Sequence, residues 1–268
     1  MPTFSQKTFA SFFKNIFAVN QTSNTGVDAT IREMQDGAGN NTSVSLSTNH
    51  LRVKPQASNS ATTLDIQNLG GDSLLKVDSS SSVVKCGTSQ VNAMTQYQYF
   101  TAARLMCVAN AQMVLALGSP SYAGHLDEWN LGTGNNPAET LDVSAESVYS
   151  NDIVTSYWYL PDAITVDAVH VLMGGDTAST TDNLNFQLYS YALDTSTNHG
   201  DLSDGTLVAG TAGPTGDFVS DVHQDAIKYQ TLGGVSTDVA AGRIILATVE
   251  STGTDKISAN ITVKYHIQ

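Results

Sequence analysis

The chain is short of charge, cysteine and proline. Asp, Glu, Lys and Arg together make up 14% of its 268 residues, with six prolines and two cysteines. The cysteines, Cys86 and Cys107, fit neither a CxxC redox motif nor a zinc-ligand spacing. They are expected to be free, buried thiols. No apolar run approaches the roughly 18 residues of a membrane span. The metalloprotease HExxH, the phosphate-binding GxxxxGK[ST], the hydrolase GxSxG and the dinucleotide GxGxxG are all missing. The glycine-rich turn at residues 37–41 is followed by neither the Lys-Ser/Thr pair nor the helix that a phosphate loop needs. The six histidines (50, 125, 170, 199, 223 and 266) include no close pair. His170 and His266 lie in apolar strands and read as core or interface residues. The expectation is a non-enzymatic chain that uses no cofactor.

Charge is unevenly spread. Residues 1–100 hold seven Lys/Arg and six Asp/Glu, a balance of +1, whereas residues 101–268 hold five and nineteen, a balance of −14. Phosphate contact needs clustered Lys and Arg, so the acidic part argues against nucleic-acid binding. Ser, Thr, Asn and Gly take the place of charge, which suits β-rich surfaces kept soluble by hydroxyl and amide groups.

Apolar residues make up 41% of the chain, and most recur with period two. Segments at 153–161, 164–175, 184–193, 206–210, 227–232, 243–250 and 257–267 alternate between clusters of Gly, Asp, Ser and Thr. Strands at that spacing, without helical breaks, predict an antiparallel sandwich or jelly roll over residues 100–268. Residues 113–117 read as a buried strand, with a helix over 102–117 as the alternative. The exposed-ring candidates Trp129, Tyr149, Tyr157, Trp158 and Tyr159 suit either sugar stacking or core filling.

Only the N-terminus breaks the β pattern. Phe9, Phe12, Phe13, Ile16 and Phe17 recur at helical spacing, with Lys7 and Lys14 opposite. This predicts an amphipathic helix over residues 5–19, docked on the chain itself or in a groove of another protein. Residues 1–60 are therefore read as an anchor. Lys14 and Asn15 interrupt the apolar run, so no secretory leader is read there.

Residues 61–99 carry short apolar pulses: Leu64 and Ile66, then Leu74, Leu75 and Val77, then Val83 and Val84. Turns at Asn68, Gly70 and Gly71 and at residues 79–82 separate them. Such short strands are marginal alone, so this region reads as a β shaft that is covered by other copies of the chain. Leu64, Ile66, Leu74 and Val77 are the candidate assembly residues. One loop places oxygens as a calcium loop does, at Asp194, Ser196 and Asn198. Its sixth position is His199 instead of Gly, and its twelfth is Gly205 instead of Glu, which leaves a weak metal candidate.

The run TTLDIQNLGGDSLLKVDSSSSVVKCG, at 62–87, resembles shaft segments of tailed-bacteriophage fibres and head-decoration proteins. The stretch 36–55 and the ending SANITVKYHI are similar in kind to structural proteins of marine phages. The resemblance implies a homotrimeric virion component with an N-terminal anchor on a capsid or tail protein, an intertwined shaft and a β-sandwich head. A head that contacts a host-surface glycan is the alternative. Assembly in a host cytoplasm follows from the same resemblance.

Overall fold

The computed structural model describes residues 16–21, 26–118, 130–133, 153–176, 183–196, 201–210, 218–220, 227–234, 238–254 and 256–268. The chain is all-β, its strands pair antiparallel, and it divides into two compact units, Met1–Ala93 and Met94–Gln268.

The first unit has two four-stranded sheets, each a meander in chain order. One contains β1 (Ala18–Val19), β2 (Arg32–Gln35), β3 (Asn41–Leu46) and β4 (Leu51–Val53). The turn between β2 and β3 is built on Asp36, whose Oδ1 accepts the N–H groups of Ala38 and Asn40, each at 2.9 Å. The other sheet contains β5 (Leu64–Gln67), β6 (Ser73–Asp78), β7 (Val83–Cys86) and β8 (Val91–Asn92). Its first turn is closed by Asn68 and Asp72, which exchange backbone and side-chain hydrogen bonds at 2.9 Å. Gly71 there sits at φ +90°, a conformation that glycine adopts without a Cβ penalty.

The second unit is a sandwich. Its strands are β9 (Thr95–Met106), β10 (Ala111–Val114), β11 (Ala116–Leu117), β12 (Asn130–Thr133), β13 (Trp158–Tyr159), β14 (Ile164–Asp176), β15 (Asn183–Leu193), β16 (Leu202–Ala209), β17 (Phe218–Ser220), β18 (Ile227–Thr231), β19 (Asp238–Val239), β20 (Arg243–Ser251) and β21 (Lys256–Ile267). One sheet runs β12-β10-β20-β15-β16, with β13 on β20 and β17 on β15. The other runs β11-β9-β21-β14-β18, with β19 on β14. The successive strands β9 and β10, β14 and β15, and β20 and β21 change sheets at each step, which is jelly-roll connectivity.

The alternation in β21 shows why the sheets stack. Ile257, Ala259, Ile261, Val263 and Tyr265 are buried on one face, while Ser258, Asn260, Thr262 and Lys264 occupy the other. Trp158, on the β20 sheet, meets Phe100 of β9 and Tyr265 of β21 edge-on, at ring-centroid distances of 6.3 and 4.9 Å. These contacts join the two layers across one core that also holds Phe186, Met113, Leu188 and Val171.

Several expectations are corrected. The expected helix over 5–19 does not reach its C-terminal end. Ile16 and Phe17 are non-helical and exposed, and β1 pairs Ala18 with Gln35 and Val19 with Met34. Backbone pairing with β2 outweighs the aromatic periodicity at that end. Phe9, Phe12 and Phe13 lie outside the described residues. The expected strand at 153–161 is a 3-10 turn, Val154–Ser156, followed by the two-residue β13. The buried run at 113–117 is split between β10 and β11, which belong to different sheets, and the alternative helix over 102–117 is ruled out by β9 and β10. Cys107 is buried as expected but Cys86 is exposed, and neither is in a disulfide.

Candidate functional site

In the β5–β8 meander, register decides which expected assembly residues share a face. Leu64 pairs with Val77 and Ile66 with Leu75, and across the next strand Val77 pairs with Val84 and Leu75 with Cys86. Side chains directly paired in an antiparallel sheet point to the same side, and neighbours along a strand alternate. Leu64, Ile66, Leu75, Val77 and Val84 therefore form one apolar face. Leu74 lies on the opposite face, away from the other three candidates. Ile66 is 48% exposed and Val84 and Val91 are also open to solvent, whereas Leu64, Leu75 and Val77 are half-buried, so the described residues cover this face only in part.

That opposite face carries a charged anchor. Asp78 is buried and accepts hydrogen bonds from Ser80 N–H and Ser81 N–H at 3.0 Å, from Ser80 Oγ at 2.6 Å, and from Lys85 Nζ at 2.9 Å. The Ser80 hydroxyl, the Lys85 ammonium and the turn amide hold its carboxyl far below the ordinary carboxylate range. The serine-rich run at 79–82 is thus a turn folded around one carboxylate.

The second unit presents another open face, on the outer side of the β9-β21-β14-β18 layer. Register sets it out in rows: Tyr99, Thr262, His170 and Thr231 in one, Thr101, Asn260, Leu172 and Tyr229 in the next. Tyr97, Tyr99, Leu172, Ile227 and Tyr229 are all exposed. The Tyr229 ring stacks on His170 with centroids 5.9 Å apart, and its hydroxyl lies 2.9 Å from His170 Nδ1. Thr231 Oγ1 is 3.1 Å from the same nitrogen. His170 is therefore a half-exposed surface residue oriented by its neighbours, which corrects the core half of the core-or-interface expectation. His266 meets Asp167 at 3.0 Å near one end of this face.

Behind the β10-β20-β15 layer lies a buried polar row. Gln112 pairs with Glu250 and Glu250 with Asn185, and one step along the strands Thr248 pairs with Gln187. All five are almost wholly buried. Gln112 Nε2 donates to Glu250 Oε2 at 3.3 Å, and burial raises the Glu250 carboxyl above its ordinary pKa. Alternation within an otherwise apolar strand does not distinguish such a row from solvated polar positions, so sequence reasoning missed it.

The remaining candidates separate. Asp194 Oδ1 accepts from Ser196 N–H and Ser196 Oγ, each at 2.7 Å, which is a local turn, and Asn198 lies outside the described residues. No group of three or more His, Cys, Asp or Glu side chains suited to a metal occurs among the described residues. Of the aromatics considered for sugar stacking, Trp158 fills the core, Tyr159 is exposed, and burial pushes the Tyr157 hydroxyl upward. Trp129 and Tyr149 lie outside the described residues. No described helix is long and apolar enough to cross a membrane.

No family model matches the chain, and no curated protein matches it. Among solved structures, it is similar to the empty head of turnip yellow mosaic virus at 8% identity, covering 65% of this chain and 80% of that one, with a TM-score of 0.20. It is also similar to desmodium yellow mottle tymovirus at 8% identity, covering 63% and 80%, with a TM-score of 0.18. Superpositions that loose carry no argument about fold or function.

Proposed function

We propose that the chain is a non-enzymatic structural component of a virion: a homotrimeric fibre, spike or decoration protein of a tailed phage. The N-terminal segment mounts it on a capsid or tail protein, and the sandwich is the displayed part. The observation that carries this reading is the partly uncovered apolar face of the β5–β8 meander. Four short strands with aliphatic side chains open to water on one side are marginal alone. Further copies of the same face are the direct way to bury them. The sequence resemblance of residues 62–87 to phage shaft segments points the same way.

Native mass measurement of the full chain tests the proposal. A trimer is expected, and a stable monomer at micromolar concentration overturns it. Register makes a sharper prediction within the meander. Serine at Leu64, Ile66 and Val77 together weakens assembly at least tenfold, while Leu74→Ser, on the opposite face, leaves it unchanged. Equal effects from the two sets would remove the meander face from the interface.

A further inference from the structure

We infer that copies of this chain also meet through the outer face of the β9-β21-β14-β18 layer of the second unit; this rests on the reading of the chain as a homo-oligomer. Three observations carry it.

The first is composition. Monomeric surfaces scatter single apolar side chains, but here they gather on one sheet face. Leu172 is 50% exposed, Tyr229 65% and Ile227 75%, on adjacent strands and in adjacent rows. Tyr97 and Tyr99 flank them on β9. Burying amphipathic rings beside aliphatic anchors is the usual make-up of an interface core.

The second is charge. The chain carries −13 overall and residues 101–268 carry −14. Copies at that charge repel one another over most of their surface. The rows from Tyr97 to Ile227 contain no Asp or Glu. Their charged or titratable members are Lys264, His170 and the phenols of Tyr97, Tyr99 and Tyr229, exposed Arg104 lies beside Ser258 at the Ile227 end, and the nearby Asp167 is held by His266. This face is therefore where two acidic copies can approach without opposing carboxylates. It gives no particular welcome to a basic partner, which the rest of the unit would attract instead.

The third is size. β9 and β21 are 12 residues long and β14 is 13. At about 3.3 Å per residue and roughly 4.8 Å between strands, these three strands and the five-residue β18 present on the order of 650 Å². One partner contributes about that much to a stable interface. The polar residues β21 supplies to the face, Asn260, Thr262 and Lys264, provide the hydrogen-bonding groups such a contact accommodates.

Sedimentation equilibrium of the full chain, with circular dichroism to verify folding, tests this. Wild type is compared with Leu172→Asp/Tyr229→Asp and with Ile227→Lys alone. The last changes a side chain that is 75% exposed on β18, so it does not threaten the core. The expected result is an oligomeric wild type, at least a tenfold weaker self-association for Ile227→Lys, and a larger loss for the double variant, with unchanged spectra. If wild type and Ile227→Lys associate equally, this surface is not an interface and the inference falls, while the oligomeric reading stands. If wild type is itself monomeric, the oligomeric reading falls first. A monomer that binds a glycan or a different protein through Tyr229 and Leu172 also overturns the inference.

Discussion

Two carboxylates illustrate how single residues set opposite pH responses. Asp78 has a folded-state pKa far below its unfolded value of 3.8. Its contribution to stability is therefore fully present above 3.8 and is lost as pH falls through the folded pKa. Glu250 has a folded-state pKa raised above its ordinary 4.5 by burial. Its stabilising contribution is present below 4.5 and is lost as pH rises through the raised value. Glu250→Gln should therefore increase stability at neutral pH and leave it little changed in acid. Asp78→Asn should lower stability at neutral pH and narrow the difference between neutral pH and pH below 3.8. Urea midpoints across pH check both, and each change reports on a different unit because the two residues lie on either side of Ala93. Neither response was legible in the sequence. In the sequence Asp78 merely precedes a serine run and Glu250 closes an apolar segment, and neither pattern marks a buried carboxylate.

At the scale of elements, period-two alternation and turn chemistry made the long strands legible. β14, β15, β20 and β21 fall within a residue or two of the segments expected from Val, Ile and Tyr flanked by Gly, Asp and Ser. The pattern fails where two forces compete. Ile153 to Tyr157 is apolar enough for a strand, yet it forms a 3-10 turn whose ends bury Ile153 and Ser156. Alternation also cannot say which of two apolar faces is covered: Leu172 and Val171 look alike in sequence, but one is exposed and the other fully buried. Arg243 shows what joins the elements once they form. Its Nε donates to Ser190 Oγ at 2.9 Å, its Nη2 to the carbonyls of Ser190 and Asp204 at 3.0 and 2.6 Å, and its Nη1 meets Asp204 Oδ2 at 3.0 Å. One guanidinium thus ties β15, β20 and β16 together. Arg243→Met should destabilise the sandwich by about 1.5–3 kcal/mol, the usual range for hydrogen bonds to a charged group. Arg243→Lys should recover only part of the loss, because an ammonium lacks the planar fork. Thermal unfolding of the three proteins makes the comparison.

At the scale of the whole molecule, the two open faces and the net charge of −13 act against each other. Burial of Leu64, Ile66, Leu172 and Tyr229 favours association, and long-range repulsion between acidic copies opposes it. Salt screens the second without weakening the first, since the Debye length shrinks to about 3 Å at 1 M. Self-association should therefore tighten as sodium chloride is raised, the reverse of what a charge-paired interface does. Dissociation constants measured at low and high salt decide between these signs. The rows lacking carboxylates on the outer β9-β21-β14-β18 face became visible only once register placed residues far apart in sequence beside one another.

The position of β21 between β9 and β14 has a kinetic consequence. Tyr265 donates to Gln96 Oε1 at 2.8 Å across a sequence separation of 169 residues. The middle of one layer thus waits on a strand that is distant from both of its neighbours along the chain. Loop closure over such spans is slow, and folds dominated by non-local pairing fold in milliseconds to seconds. Until β21 docks, β9 and β14 each have a bare edge, with Tyr97, Tyr99 and Leu172 close beside it. Newly made chains therefore pass through an interval in which strand edges and apolar side chains are open together, and crowding or high expression in that interval favours aggregates over folded chains.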